Sequence, residues 1–289
     1  MLRISAFLVL ALFILVTPVL AVERPQTPGF NKVNPTPPPK PETPEVPAPP
    51  DVSGLYEVPE RPGLKVRVFA HPPRPEAPKA PGKTPKPSPT VAENNALVCN
   101  LQDPDSASVT GKTGWKIPSG NWNYLLNLKS VPSTVGSTNL DAIVKSGFNQ
   151  YTSATSGKVN FIRGADTTVS RARLDGRNII SWGNASNGTL GVTYVWYYPS
   201  TGQAVEIDTI MNNKYKWTWS NSLTCADNTK YDAQDIMTHE LGHWLGLTDE
   251  YNAPLFGNNT MYGYGSLGEV KKNTLTTGDI LGIQSIYLP

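Results

Sequence analysis

Eleven residues of this 289-residue chain concentrate its chemistry: His239-Glu240-Leu241-Gly242-His243-Trp244-Leu245-Gly246-Leu247-Thr248-Asp249. On a helix, His239 and His243 stand at i and i+4, on one face and one turn apart. Two imidazoles so placed converge on one cation, and Zn²⁺ is the usual partner of histidine and carboxylate ligands. Glu240 cannot share that face. It can lean over the open coordination position and take a proton from a water whose pKa the cation lowers. Gly246 lets the chain break from the helix, and that turn can bring Asp249 back as a third ligand. The chain has only 3 histidines, and His71 lies in a proline-rich stretch far from the motif, so a carboxylate is the natural third ligand. Asp249 is best placed, with Glu250 replacing it if the loop shifts by one residue. A bare His-Glu-x-x-His arises by chance on surface helices; the extension to Gly246 and Asp249 makes chance a poor explanation.

Helices and strands must hold these groups. Asp232 is positioned to cap the motif helix, with Asp235 at the capping-box position, and Gly246 to end it. Thr138 is positioned to cap a helix whose apolar residues Leu140, Ile143, Val144, Phe148 and Tyr151 follow helical spacing, and Thr276 with Asp279 opens a last helix through Ile280, Ile283 and Ile286. Between them, Lys158–Arg163, Asn178–Trp182, Gly191–Tyr198 and Ala204–Met211 read as strands. Helix, strands, helix, loop, helix is an α+β order.

Composition removes other classes. From Glu93 onward there are 14 basic and 16 acidic residues, without the basic excess of a nucleic-acid binder. Two cysteines cannot build a four-cysteine zinc site. Residues 1–21, with Arg3 before an apolar run ending at Val19-Leu20-Ala21, read as a signal peptide. The protein is therefore expected to be secreted, to have no stable membrane insertion once the signal is removed, and to act as a monomer. An uncleaved anchor is the other reading of that run. Of 28 prolines, 21 fall between Pro25 and Pro89, so residues 22–92 read as a disordered Pro-rich linker or pro-segment. Within it Leu64–Phe69 alternates apolar and basic residues: an isolated apolar patch, or a strand docked on the domain of residues 93–289.

The motif and its surroundings resemble the metzincin zinc endopeptidases, and the bacterial and archaeal matrixin-like group among them. The pattern His-Glu-x-x-His-x-x-Gly-x-x-Asp is followed 12 residues after Asp249 by Thr260-Met261-Tyr262, similar to a methionine turn. Leu275–Tyr287 is similar to the matrixin C-terminal helix, Thr189–Tyr194 to its substrate-facing edge strand and Glu206–Asp208 to the strand that follows. Aspartate as third ligand resembles snapalysin-type relatives. The resemblance implies a mixed, twisted sheet with an active-site helix, a Met-turn and a C-terminal helix. It also implies Zn²⁺ held by His239, His243 and Asp249, with Glu240 as general base. Protein or peptide substrates would lie along Gly191 and Val192, Met261 would form an apolar base beneath the metal, and Tyr262 would line a substrate pocket or simply fill the core. Structural Ca²⁺ near Asp166, Asp175 and Asp208 is a further family feature. No Pro-Arg-Cys-Gly segment surrounds Cys99, so a disulfide with Cys225 is expected in an exported protein. A reading from another class is a zinc-stabilised binding module on a Pro-rich stalk, without hydrolysis; Glu240 argues against it, because a structural site needs no base.

Overall fold

Gly191–Tyr198 and Gln203–Asn212 are rich in β-branched and aromatic residues, and they form the centre of a seven-stranded sheet. The computed structural model describes Val46 and residues 49–75 and 97–289, all within one compact unit, Glu42–Pro289. The signal-peptide reading of residues 1–21 lies outside the described residues, as does much of the proline-rich stretch. The elements run β1 (Gly54–Glu57), β2 (Lys65–His71), β3 (Leu97–Cys99), β4 (Gly120–Leu126), α1 (Asn139–Ala154), β5 (Val159–Asp166), β6 (Ile179–Gly183), β7 (Gly191–Tyr198) and β8 (Gln203–Asn212). They continue through β9 (Trp217–Thr218), β10 (Cys225–Asp227), β11 (Tyr231–Asp232), α2 (Ala233–Trp244), α3 (Ala253–Phe256) and α4 (Thr277–Tyr287).

The sheet order is β1-β2-β7-β8-β6-β4-β5. Strands β8, β6, β4 and β5 are parallel, β7 runs against β8, and β2 and β1 continue antiparallel beyond β7. This is a mixed α+β architecture. Helices α1, α2 and α4 cover one face through Leu140, Phe148, Tyr151, Leu241, Trp244 and Ile283. The other face carries a second apolar cluster with Val66, Val68, Ile179, Val192, Tyr194, Trp196 and Ile210. With both faces covered, seven of the eight residues of β7 are buried.

Lys65–Phe69 is therefore part of a strand, with Leu64 just before it, and the run is not an isolated apolar patch. The alternation that marks it splits its side chains between the two faces: Val66 and Val68 join the second cluster, and Phe69 the helix-side core. Burying four residues of the Val, Leu and Phe type stabilises by about 1.5–3 kcal/mol each, enough to hold a short strand on the sheet. Lys65 pairs with Glu57 at 2.7 Å, and the Arg67 guanidinium lies over the Phe69 ring, so the basic residues are also engaged.

Helix α4 starts as expected, with Thr276 and Asp279 forming a reciprocal capping box. Asp232 caps α2 by accepting from the amides of Gln234 and Asp235. Asp235 does not return the bond; its carboxylate accepts from the Lys272 amide at 2.9 Å instead. Thr138 precedes α1 without a side-chain cap. Cys99 and Cys225 face each other across the β3–β10 pair and are joined by a disulfide. Among the described residues, no helix is long and apolar enough to cross a membrane.

Candidate metal centre

Helix α2 is buried along its whole length and carries His239, Glu240 and His243. Its close approach to the core depends on Gly242. A Cβ there would lie 2.2 Å from the Met261 sulfur and 2.7 Å from the Tyr151 hydroxyl. Met261 is thus packed directly beneath the helix, and Tyr151, which donates to the Thr238 carbonyl at 2.9 Å, closes the same gap.

The helix ends in a Schellman motif. The Gly246 amide donates to the His243 carbonyl and the Leu247 amide to the Gly242 carbonyl, both at 3.1 Å. Gly246 has φ +90°, and a Cβ there would stand 2.3 Å from the Trp115 carbonyl oxygen, so only glycine fits. The turn places the Leu247 carbonyl 3.0 Å from His243 Nδ1. His239 Nδ1 meets the Thr260 carbonyl at 2.8 Å. A carbonyl can only accept, so both Nδ1 atoms carry the proton and both Nε2 atoms present lone pairs.

Those lone pairs face Asp249. Its Oδ1 lies 3.1 Å from His239 Nε2 and 3.5 Å from His243 Nε2. All three atoms are buried without a hydrogen-bond partner. Three electron-pair donors converging without a proton between them fit a cation, and two imidazoles with a carboxylate are a donor set suited to zinc. Glu250 takes another direction, accepting from the Gly111 amide at 2.8 Å and pairing its backbone with Tyr262.

Glu240 is buried behind this group. Its Oε2 accepts from the Thr193 hydroxyl at 2.6 Å, while Oε1 has no partner. Burial pushes its carboxyl up to about 7, against the pull of His243 and the Thr193 hydroxyl. Burial lowers His239 to about 4, consistent with a neutral imidazole.

Several contributors were not evident from sequence. His71, expected to be remote, is 1% exposed and packs edge-on against His239, with ring centroids 3.9 Å apart. Its Nδ1 lies 3.9 Å from Glu240 Oε1. Among the described residues, His71, His239 and Glu240 form a second group whose ligand atoms lie within 4.8 Å of one another. The signal available was the alternating run 64–69, which the strand extends by two more paired residues, Ala70 and His71. Asp279 accepts from the Thr260 amide at 2.8 Å, so the α4 capping box also fixes the carbonyl that orients His239. Gly191 faces the site, where a Cβ would meet Glu240 Oε1 at 2.7 Å, whereas Val192 packs on the opposite face. The outer edge of β7, expected to be free for a peptide, is paired with β2. Tyr262 is buried beneath the side chains of Arg74 and Lys271. The acids considered for calcium are otherwise engaged: Asp208 accepts from the amides of Arg173 and Ile179, Asp175 pairs with Arg177, and Asp166 pairs with Arg163.

The matrixin family model matches residues 120–288, from the start of β4 to the end of α4. No curated protein matches the chain. The match covers more than half of the sequence and contains the helix, the turn and the loop that gather His239, His243 and Asp249, and by it the chain belongs to the matrixin family of zinc-dependent endopeptidases.

Proposed function

We propose that the chain is an exported endopeptidase in which His239, His243 and Asp249 hold the zinc ion and Glu240 is the general base. The observation that carries this reading is the convergence of three unpartnered, buried donor atoms beside a second buried carboxylate with one free oxygen. A bound Zn²⁺ supplies Lewis acidity toward the scissile carbonyl and lowers the pKa of a water. The chain's residues do the rest. Glu240, anchored through Oε2 by Thr193, would use its unpartnered Oε1 to take a proton from that water and return it to the leaving amine. The Nδ1–carbonyl bonds of His239 and His243 keep the imidazoles aimed. Gly191 leaves space at Glu240 for a substrate backbone. Residues 1–21 support export, and the Cys99–Cys225 disulfide suits an oxidising compartment.

The test measures metal content and hydrolysis of a quenched-fluorescent peptide library. It uses the intact chain and the chain nicked by a lysine-specific protease at Lys79, Lys83 or Lys86. One zinc per chain, chelator-sensitive cleavage in at least one of the two forms, and its loss in Glu240→Ala are expected. Zinc-loaded protein that cleaves nothing in either form, or a Glu240→Ala variant as fast as wild type, refutes the proposal.

A further inference from the structure

We propose that a cavity beside the start of α2 is a binding site for a neutral saccharide, separate from the metal centre, with Trp219 as its apolar wall and Ser146, Gln234 and Asn273 as its hydrogen-bonding groups. The inference does not depend on the endopeptidase reading above.

The cavity lies between α1, the β9–β10 connection and the first turn of α2, and has a volume of about 360 Å³. That is at the small end of the range for ligand pockets, a size suited to a short saccharide. Gln234 stands well before His239 and His243 on the same helix, so roughly 7 and 13 Å along the axis separate it from them. None of the lining residues belongs to the metal centre.

The chemistry of the lining selects the ligand. None of the lining residues is ionisable. A charged ligand would lose hydration there without meeting a counter-charge, and a purely apolar one would strand the amides and hydroxyls. A neutral ligand that both donates and accepts satisfies them, and a sugar hydroxyl does both. The indole Nε1 of Trp219 can only donate, and it donates to Gln234 Oε1 at 3.0 Å, which fixes the orientation of that amide. Gln234 Nε2 donates to Ser146 Oγ at 3.3 Å. Among the described residues, the second Nε2 proton and the Ser146 hydroxyl proton have no acceptor. Asn273 is buried; its Nδ2 donates to the Ser222 carbonyl at 3.1 Å, and its Oδ1 has no partner. Spare donors and a spare acceptor thus stand together around one cavity. Trp219 is half-buried, held through its Nε1 and packed on the helix-side core, so it offers a fixed apolar wall to the C–H face of a sugar ring. Free polysaccharide and the glycan of a glycoprotein share this chemistry.

The experiment uses the full chain as wild type, Trp219→Ala and Ala142→Arg. Ala142 is exposed on α1 and lines the cavity, so arginine there fills it without removing a core group. Binding is measured to neutral oligomers of glucose, mannose, galactose and N-acetylglucosamine. In solution it is followed through the indole N–H resonances, the Trp219 signal being the one lost in Trp219→Phe. At least one oligomer should bind wild type and move the Trp219 resonance, and both variants should bind it at least about tenfold more weakly. Should Trp219→Ala fail to fold, Ala142→Arg decides the matter. A Trp219 resonance that no neutral oligomer moves at millimolar concentration overturns the proposal. So does a response to charged saccharides alone, or equal binding by Ala142→Arg. A glycoprotein carrying the bound sugar, offered before and after its glycans are removed, separates the two sources. Retention that ends with deglycosylation supports a site for protein-linked glycans, and retention on the free polymer alone supports a site for polysaccharide.

Discussion

Replacing Gly246 by alanine tests whether the helix-ending turn is what brings Asp249 to the two histidines. Two costs add at this position. Alanine at φ +90° is in left-handed backbone territory, worth about 1–2 kcal/mol. Its Cβ would also stand 2.3 Å from the Trp115 carbonyl oxygen, and because that neighbour is backbone, no rotamer change relieves the overlap. Overpacking of this kind costs about 1–3 kcal/mol more. The sum, about 2–5 kcal/mol, lowers Tm by about 5–15 °C for a domain of this size. Gly157 supplies the control, since its φ is +74° but a Cβ there meets nothing within 4 Å. Gly157→Ala should therefore show the backbone cost alone, about 1–2 kcal/mol. The assay is thermal unfolding of the zinc-loaded proteins, followed by competitive zinc titration against a chelator. Gly246→Ala should bind zinc more weakly, because Asp249 leaves the turn three residues later, while Gly157→Ala should bind it as wild type does. A Gly246→Ala protein as stable as Gly157→Ala, with unchanged zinc affinity, would refute the reasoning.

Three other outcomes are expected. Thr193→Val removes the hydroxyl that favours the charged form of Glu240, so the Glu240 pKa rises and the acidic limb of the kcat/KM profile moves to higher pH; at about 1.5–3 kcal/mol for a bond to a charged group, the shift is roughly one to two pH units, and an unmoved limb counts against the role. Glu206 is pushed up to about 7 by burial, so the folded state holds its proton where the unfolded chain has lost it. Its stabilisation is full below the unfolded pKa of about 4.3 and is lost as pH rises through 7. Tm should accordingly fall between pH 5 and 8, and Glu206→Gln should flatten that slope even if it lowers Tm throughout. Opening the Cys99–Cys225 bridge, which spans 126 residues, should cost up to about 5 kcal/mol on chain-entropy grounds; equal Tm with and without reductant would contradict this.

The two ends of the His239–Asp249 segment show why the site was readable from sequence. Helical spacing sets His239 against His243 within one turn, and a glycine at the C-terminal break is a local requirement of the backbone. The capping box of Thr276 and Asp279 is local in the same sense. Asp235 marks the limit of that logic: its spacing suits a capping box, but a distant amide, that of Lys272, takes its carboxylate.

Residue type and local spacing alone therefore marked the helix that carries His239, Glu240 and His243, the turn at Gly246 and the α+β order of the elements; that Asp249 rather than Glu250 faces the two histidines was left to the tertiary contacts of the loop. Tertiary structure alone decided what surrounds them. Thr193 meets Glu240 across 47 residues of sequence, and His71 meets Lys272 across 201. Neither pairing leaves a periodic trace, because each depends on which strands become neighbours in the sheet. The same holds for the proline-rich stretch. Its composition argues against a packed core, yet one alternating strand finds its partners on β7, and burial on both faces of the sheet holds it there.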